Sequence, residues 1–216
     1  QRINSKNIKK FYGKPIIYYP IKSSINSKLF DRIIVSTDSK KIANISKKFG
    51  AETPFLRAKK LSNHKATLFE VIKDSIYQLK LSNKDIICCA FPTSVFLSSN
   101  LLKKTYAEFK KNLARINFLY SITEYEHPIE RSIRINSKGY VQKMFKTKYH
   151  NRTQDFGKSF HDAALFYWGS VKSFIKYSNV VTEKTAGYPI TKGITCDIDT
   201  PEDWILAEKL FRAKEK

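Results

Sequence analysis

Two aspartates near the end of the sequence, Asp197 and Asp199, are the residues whose type and spacing point most clearly to chemistry. In an extended segment the side chains alternate between two faces, so residues separated by one position project the same way. Two neighbouring carboxylates suit a hard divalent cation, and Mg²⁺ typically takes one or two carboxylates plus substrate phosphates. The same spacing also fits a simpler role, in which Asp199 only caps a helix that begins at Pro201.

The first residues of the chain are basic and polar, and they include Arg2, Lys6 and Asn7. Lysine and arginine in a loop before a helix are suited to bind phosphates, and an asparagine could bond a base or a ribose. A basic segment of this kind is equally typical of a solvated tail.

Other polar residues stand where a ligand could bind, although each also has an ordinary structural explanation. Arg131 and Arg152 could each clamp a carboxylate with two hydrogen bonds, or simply lie on the surface of a basic chain. The pair His161-Asp162 precedes an apolar strand and could make a structural hydrogen bond. Thr93 follows Pro92 and could be a turn residue.

The composition indicates a folded, soluble, intracellular protein. Of the 216 residues, 42% are hydrophobic, and no apolar run approaches the roughly 20 residues needed to cross a bilayer. A formal charge of +21, from 40 Lys and Arg against 19 Asp and Glu, suits anionic partners. A nucleic acid is one such partner, but a nucleoside triphosphate and an acidic sugar are anions too, so the charge does not choose between them.

Strand and helix patterns alternate along most of the chain. Apolar or β-branched runs predict strands at 33–36, 86–91, 117–123 and 163–168, and helical spacing predicts helices at 38–49, 67–81, 98–113 and 201–214. Such alternation is typical of an α/β fold with a parallel sheet, in which ligands bind at the carboxyl ends of the strands. Between these elements, residues 132–135 and 140–145 flank Asn136-Ser137-Lys138-Gly139, which predicts a hairpin of antiparallel strands.

Together these segments resemble the nucleotide-sugar cytidylyltransferases that activate sialic acid and its relatives, and most closely the branch that activates pseudaminic acid. The resemblance covers nearly the whole chain and depends on the order and spacing of its motifs. The segments that carry it are Lys6-Asn7-Ile8-Lys9, Gly13-Lys14-Pro15, Phe30-Asp31-Arg32 through Asp38, Phe49-Gly50-Ala51-Glu52, Pro54-Phe55-Leu56-Arg57, Pro92-Thr93, Asn151-Arg152-Thr153-Gln154-Asp155, His161-Asp162-Ala163, Phe166-Tyr167-Trp168-Gly169, and Asp197 through Trp204.

The resemblance implies one domain with a three-layer Rossmann-like nucleotidyltransferase fold, a mostly parallel sheet and a small antiparallel dimerisation insertion near residues 124–162. It implies a cytoplasmic homodimer that transfers CMP from CTP to a nonulosonic acid, an acidic nine-carbon sugar, with no nucleic-acid or membrane partner. It also implies that Asp197 and Asp199 hold Mg²⁺ or Mn²⁺ and act in catalysis with Lys6. The implied nucleotide-binding residues are Arg2, Lys6, Asn7, Arg57, Pro92 and Thr93, and the implied sugar-binding residues are Arg152, His161 and Tyr167.

The sequence departs from the family pattern at three places, one of which is Asn4, where a proline is usual. Members of the family begin with an apolar strand and a glycine-rich basic loop. Of that loop, this sequence contains only the last basic residue, Arg2. Ala164-Leu165 stands where Gly-Gln is common in the pseudaminic branch, so the sugar could instead be legionaminic, sialic or 3-deoxy-octulosonic acid. An inactive remnant of the enzyme and a basic nucleic-acid-binding protein are the remaining hypotheses.

Overall fold

The computed structural model describes residues 3–145, 152–191 and 195–214. No helix in these ranges has the length and apolar character needed to span a bilayer. In chain order, the elements are β1 (Lys10–Phe11), β2 (Lys14–Pro15), α1 (Tyr18–Ser27), α2 (Lys40–Lys48), α3 (Leu68–Leu79), β3 (Ile86–Ala90), α4 (Ser99–Lys111), β4 (Phe118–Glu124), β5 (Ile133–Ile135), β6 (Val141–Lys143), β7 (Phe160–Ser170), α5 (Val171–Lys176), β8 (Thr185–Pro189) and α6 (Pro201–Lys214).

The central sheet has four strands in the order β3-β7-β4-β8. Strands β3, β4 and β8 run in one direction, and β7 runs antiparallel between β3 and β4. The pairing of Glu124 with Phe160 explains the reversal, because β7 starts opposite the end of β4. Strands β4 and β7 therefore form a long hairpin, a connection that requires no crossover helix. The predicted α/β class is confirmed, but the prediction of a mostly parallel sheet is wrong for the described strands: the sheet is mixed, and of its three pairings only β4 with β8 is parallel.

The predicted strand at residues 33–36 is wrong in extent. The segment is extended, but it forms a single bridge in which Ile34 stands opposite Glu52. The Val35 N–H donates to the Glu52 carbonyl at 2.9 Å, and the Glu52 N–H donates to the Ile33 carbonyl at 2.7 Å. The next bond of a parallel ladder would need an N–H at Pro54, which proline lacks, so the ladder stops there.

Helices cover both faces of the sheet and form three layers. Along β7, Phe166 and Trp168 join the apolar cluster that contains residues of α4 and α6. The intervening Tyr167 joins the opposite cluster, with residues of α3 and α5. This alternation follows from the period of two in a strand, and it makes β7 part of both cores. Buried Trp168 also donates its indole N–H to Thr105 Oγ1 on α4, at 2.9 Å.

The predicted hairpin in the middle of the chain is confirmed as β5 and β6. Ile133 pairs with Lys143, and Ile135 pairs with Val141. The Asn136 Oδ1 atom accepts hydrogen bonds from the backbone N–H groups of residues 138 and 140, at 3.0 and 2.9 Å, which closes the turn. All six strand residues are exposed, so the hairpin projects from the sheet instead of joining the core.

A bulge interrupts β7 at the end that faces this insertion. Tyr167 pairs with Tyr120 and Asp162 pairs with Ile122, so residues 163–166 stand opposite one residue of β4. Within the bulge, Ala164 has φ +51°, in the left-handed region that L-residues with a Cβ avoid. Bulges of this kind often lie next to functional sites, where they redirect side chains.

Side chains from three parts of the chain bind the backbone of the bulge. Ser121 Oγ accepts from the N–H groups of Leu165 and Phe166, at 3.1 and 3.3 Å. The Ser94 hydroxyl lies 3.1 and 2.9 Å from the carbonyl oxygens of residues 164 and 165. Asp162 Oδ1 accepts from the N–H of Ala164 at 2.7 Å. Polar groups that the interrupted ladder would otherwise leave unpaired are therefore bonded.

The left-handed conformation of Ala164 predicts that Ala164→Gly stabilises the protein. A residue with a Cβ costs about 1–2 kcal/mol in this region, and the greater unfolded-state entropy of glycine offsets part of the gain. We expect the free energy of unfolding to rise by about 0.5–1 kcal/mol, measured by urea denaturation. Buried Ala163 is the matched control, because Ala163→Gly loses a methyl group without relief of a positive φ and should destabilise. An equal loss of unfolding free energy in both variants would show that the left-handed conformation of Ala164 costs no stability.

Candidate active site

Asp197 and Asp199 flank Ile198, whose side chain is fully buried in the core. Because residues 195–199 form neither helix nor strand, this burial fixes which way the segment faces. Both aspartates are exposed on the side away from the core, as their spacing predicts.

The cap of α6 is made by other residues than Asp199. Thr200 Oγ1 accepts from the N–H of Asp203 at 3.2 Å, and Asp203 Oδ2 accepts from the N–H of Thr200 at 2.8 Å. Asp203 Oδ2 also accepts from the N–H of Asp199 at 3.1 Å. This reciprocal arrangement satisfies the start of the helix. The carboxylate of Asp199 is therefore not required as a cap, which removes the simpler role considered for it.

Lys6 lies against the aspartate pair although it is 193 residues away from Asp199 in sequence. Its Nζ atom forms an ion pair with Asp199 Oδ1 at 2.8 Å and donates a short hydrogen bond to the carbonyl of Ile198. The structure thus brings together the three residues expected to act in catalysis.

Aromatic packing holds Lys6 in this position. Phe11 in β1 is fully buried, and its ring meets the rings of Trp204 and Phe211 on α6 edge-to-face, with centroids 5.5 and 5.4 Å apart. The Lys9 ammonium lies 4.5 Å from the centre of the Trp204 ring. Edge-to-face aromatic pairs and cation–π contacts each contribute about 0.5–1.5 kcal/mol beyond burial. The start of the described chain is therefore attached to the helix that follows Asp199.

The charges around Asp197 make it harder to ionise than a free aspartate. Partial burial is the largest cause of the raised pKa of Asp197, and the adjacent charge of Asp199 raises this pKa further. The positive charge of Lys6 lowers this pKa. Asp162 and Asp203 add smaller contributions in the same direction as Asp199. A carboxylate in such surroundings is stabilised by a bound cation.

A cleft of about 1120 Å³ opens beside Asp197. Its walls come from the end of β4, the loop that follows it, the start of β7 and the segment before α6. The lining residues are Thr123, Glu124, Tyr125, Glu126, His127, Pro128, Ile129, Arg131, Ser132, Thr153, His161, Asp162, Ala163, Thr195 and Asp197. The insertion and Asp197 therefore border one space, large enough for a nucleotide or a sugar.

Of the residues implied to bind the sugar, only His161 lines the cleft. Its imidazole ring packs against Tyr125 with centroids 4.7 Å apart. Tyr167 lies behind the wall, buried, and its hydroxyl donates to Asp162 Oδ2. Burial, followed by this bond, raises the pKa of Tyr167, so the hydroxyl stays protonated. Arg152 is exposed outside the lining, whereas Arg131 lies in it and donates from Nη1 to Thr153 Oγ1 at 2.9 Å.

The residues implied to bind the nucleotide lie on different segments of the chain, and none of those that the structure describes lines the cleft. Arg57 donates to Ser62 Oγ at 3.2 Å, and its guanidinium lies 3.8 Å from Asp38 Oδ1, at the end of the extended segment 33–36. Pro92 and Thr93 form the turn after β3, at the carboxyl end of that strand. The carbonyl of Asn7 accepts from the N–H of Ile17 at 3.3 Å. Arg2 lies outside the described residues. These assignments stay predictions.

Comparison with known proteins identifies the family. Residues 1–210 match the family described as cytidylyltransferase. The chain belongs to the cytidylyltransferase family. It is 34% identical over 218 residues to the pseudaminic acid cytidylyltransferase of Campylobacter jejuni, covering 100% of this chain and 93% of the relative. It is 26% identical over 223 residues to the CMP-N,N'-diacetyllegionaminic acid synthase of Legionella pneumophila, with the same coverage of both chains.

Solved structures confirm the fold of this cytidylyltransferase. The structure of CMP:2-keto-3-deoxy-manno-octonic acid synthetase complexed with CTP superposes with a TM-score of 0.72 at 11% identity, covering 99% of this chain and 94% of the other. The structure of 4-diphosphocytidyl-2C-methyl-D-erythritol synthase from Anaerococcus prevotii gives a TM-score of 0.63 at 14% identity, covering 98% and 94%. At these identities the likeness concerns the fold alone, and it agrees with the expected Rossmann-like nucleotidyltransferase architecture.

The chemistry of the aspartate pair fits a hard divalent cation. Within residues 3–145, 152–191 and 195–214, no group of three or more His, Cys, Asp or Glu side chains is arranged to hold a metal. Two carboxylates are nevertheless the usual protein contribution to a Mg²⁺ site that phosphates and water complete. The raised pKa of Asp197 supports this fit, since a cation would offset the cost of its ionised form.

Three residues brace the site around the bulge, and of these Thr195 lacks a clear signal in the sequence. Thr195 lines the cleft and bonds the bulge, Asp162 braces the bulge from inside, and Ser121 accepts from it on β4. Ser121 belongs to an apolar run, and Asp162 belongs to the pair His161-Asp162. Nothing in the spacing of Thr195 and Asp162 indicates that a bulge brings them together.

The raised pKa of Asp197 predicts that Asp197→Asn stabilises the metal-free protein at neutral pH while it abolishes activity. A raised pKa means that the folded state holds the proton more tightly than the unfolded chain. The protonated Asp197 side chain therefore contributes its full stabilisation below the pKa of an aspartate in the unfolded chain, about 3.9. This contribution is lost as the pH rises through the higher pKa that Asp197 has in the folded protein. At pH 7 we expect Asp197→Asn to melt higher than wild type, and cytidylyltransferase activity to fall about 100-fold or more.

Asp203→Asn is the control of opposite sign. Hydrogen bonds from Thr200 lower the pKa of Asp203, so its ionised form stabilises the fold above its unfolded pKa. Thermal melts at pH 7 with a chelator should show Asp203→Asn below wild type. If both variants shift in the same direction, the electrostatic explanation is wrong.

Proposed function

We propose that this cytidylyltransferase transfers CMP from CTP to a nonulosonic acid, with pseudaminic acid as the first candidate, and releases pyrophosphate. The observation that carries the proposal is the 34% identity over the full chain to relatives named pseudaminic acid cytidylyltransferase. The site geometry supports it, because Asp197 lines a cleft with room for a second substrate, and Lys6 forms an ion pair with Asp199 two residues further along the chain. The proposed location is the cytoplasm, because the reaction uses CTP.

The reaction is an in-line displacement at phosphorus. The oxygen of the anomeric hydroxyl attacks the α-phosphorus of CTP, and the bond from that phosphorus to the oxygen bridging the β-phosphate breaks. Pyrophosphate leaves with that oxygen, and the hydroxyl proton passes to solvent. Such reactions depend mainly on positioning and on neutralisation of charge, so the protein contributes geometry and cations.

The residues of the site divide these tasks. Asp197 and Asp199 would hold Mg²⁺ or Mn²⁺, which when bound neutralises and orients phosphate oxygens. Lys6, whose Nζ atom lies 2.8 Å from Asp199 Oδ1, offers an ammonium group to the triphosphate. The remaining proposed nucleotide contacts are Arg2, Asn7, Arg57, Pro92 and Thr93.

The sugar acid is proposed to lie in the cleft, with its carboxylate near Arg131. Among the described lining residues, Arg131 is the sole lysine or arginine, while Glu124, Glu126, Asp162 and Asp197 are acidic. A carboxylate would be repelled by this wall except near the guanidinium, whose planar fork suits a carboxylate. His161 remains a proposed sugar contact, Tyr167 supports the wall through Asp162, and Arg152 remains a proposed contact from outside the lining.

A panel of sugar acids tests the function. With CTP and Mg²⁺, we compare pseudaminic, legionaminic, N-acetylneuraminic and 3-deoxy-octulosonic acids, measuring pyrophosphate release and identifying the CMP-sugar by mass spectrometry. We expect pseudaminic acid to give the highest kcat/KM, by about 10-fold or more. A chelator should stop the reaction, and added Mg²⁺ or Mn²⁺ should restore it.

Two variants show whether the turnover comes from the proposed site. Asp199→Ala should reduce it about 100-fold or more with little change in melting temperature, whereas Asp31→Ala, an exposed aspartate outside the cleft lining, should match wild type. A preference for legionaminic acid would move the assignment to the activity of the Legionella pneumophila relative. Full activity of Asp199→Ala would refute the metal site.

We also propose that the chain forms a homodimer through the β5–β6 hairpin. Ile133, Ile135 and Val141 lie on the same face of the hairpin and are 46%, 71% and 63% exposed. An apolar surface of this kind on a projecting hairpin is typical of a protein interface. Because the adjoining loop lines the cleft, a partner bound to the hairpin would lie near the proposed sugar site.

Val141→Glu tests the dimer and has a matched control in Val181→Glu. Val181 is 68% exposed in the loop before β8, away from the hairpin. A buried charge repeated by symmetry should weaken a dimer about 10-fold or more, so light scattering after size exclusion should show Val141→Glu shifted to monomer and Val181→Glu unchanged. Wild type that is monomeric at tens of micromolar would refute the proposal.

A further inference from the structure

A side-chain hydrogen bond connects the bulge of β7 to the segment that carries the aspartate pair. The Thr195 hydroxyl donates to the carbonyl of Ala163 at 2.9 Å. Ala163 lies in the bulge opposite Ser121, and Thr195 is two residues before Asp197. Thr195, Ala163 and Asp197 all line the same cleft. The bulge and the aspartates are thus joined directly at the edge of the candidate active site.

Asp197 therefore lies between two fixed points. On one side Thr195 is attached to β7, and on the other the fully buried Ile198 anchors the chain to the core. Residues 195–199 have no strand or helix of their own to hold them. The direction of the Asp197 carboxylate depends on these two attachments and on the hydrogen bond from Lys6 to the Ile198 carbonyl, because no regular backbone ladder sets it.

The bulge is a firm support for this attachment. Asp162 Oδ1 accepts from the Ala164 N–H at 2.7 Å, and its other oxygen accepts from the buried Tyr167 hydroxyl. Ser94 and Ser121 bind the following residues of the bulge. A hydrogen bond to an atom held this closely restricts Thr195 more than a bond to a mobile loop would.

We propose that Thr195 is a positioning residue, which uses the bulge of β7 to orient Asp197 for the divalent cation. The inference rests on the proposed function of the aspartate pair and deepens it. A partner that orients a metal ligand typically changes metal affinity by about 10- to 100-fold when it is removed. Thr195 should therefore affect the metal site much more than it affects folding.

Thr195→Val is the decisive variant, because valine keeps the shape of threonine and removes the hydroxyl. Binding of Mn²⁺ alone to the nucleotide-free protein is measured by electron paramagnetic resonance of free Mn²⁺. We expect Thr195→Val to weaken Mn²⁺ binding about 10-fold or more, and Thr195→Ser to restore it. The Mg²⁺ concentration for half-maximal CMP transfer should rise in parallel. Thr195→Ala repeats the removal should the valine variant not fold.

Ser121→Ala is the matched control for damage to the bulge itself. Ser121 is buried and binds the same bulge, but it lies on β4 and not on the aspartate segment. We expect Ser121→Ala to lower the melting temperature and to weaken Mn²⁺ binding clearly less than Thr195→Val does, since Ser121 reaches the aspartate segment only through the bulge. Thr195→Val binding Mn²⁺ like wild type, or Ser121→Ala weakening it equally, would overturn the proposal.

The Mn²⁺ measurement separates this inference from the proposed function. If wild type binds Mn²⁺ through Asp197, shown by its loss in Asp197→Asn, but transfers CMP to none of the sugar acids, then the proposed reaction fails and the role of Thr195 is still decided. If wild type and Asp197→Asn bind Mn²⁺ equally, the positioning role is refuted whatever the activity.

Discussion

The architecture depends on β7, an antiparallel strand that is hydrogen-bonded on both sides between parallel neighbours. Its alternating side chains reach both cores, through Phe166 and Trp168 on one face and Tyr167 on the other. A strand in this position cannot leave backbone groups unpaired without cost, so its bulge is tolerated only because hydroxyl and carboxylate side chains bind it. The same requirement places Asp162 and Thr195 at the cleft, which links the stability of the sheet to the shape of the site.

A second constraint joins the two ends of the described chain. Phe11 packs against Trp204 and Phe211, and Lys6 reaches Asp199 across 193 positions of sequence. Burial of Phe11 holds the N-terminal segment against α6, and the ion pair with Asp199 orients the Lys6 side chain. An exposed ion pair contributes little stability by itself, so the packing of Phe11 is the stronger reason that Lys6 stands beside the carboxylates.

The site also shows a conflict between folding and chemistry. Asp197 is partly desolvated beside Asp199, an arrangement that raises its pKa and disfavours its charged form. Active sites commonly keep such groups because a bound cation or substrate offsets the cost. The acidic wall of the cleft likewise repels an acidic substrate, except near the guanidinium of Arg131.

The sequence by itself determined what depends on local spacing. The apolar runs of β3 and β4, the hairpin turn at Asn136, the start of α6 at Pro201 and the shared direction of Asp197 and Asp199 follow from periodicity and from turn or cap preferences, which act over a few residues. The resemblance added the family and the expected site residues. The single bridge at residues 33–36 was foreseeable only with the partner known, because Pro54 ends a ladder that Ile33 and Val35 would otherwise continue.

Only the tertiary structure decided which distant groups meet. It brought Lys6 to Asp199, put Arg131 and not Arg152 in the cleft lining, and buried Tyr167 behind Asp162. It also produced the bulge that lets Thr195 bond Ala163. These contacts join segments far apart in sequence, and they arise from the pairing of β7 and the packing of both cores, which no local pattern encodes.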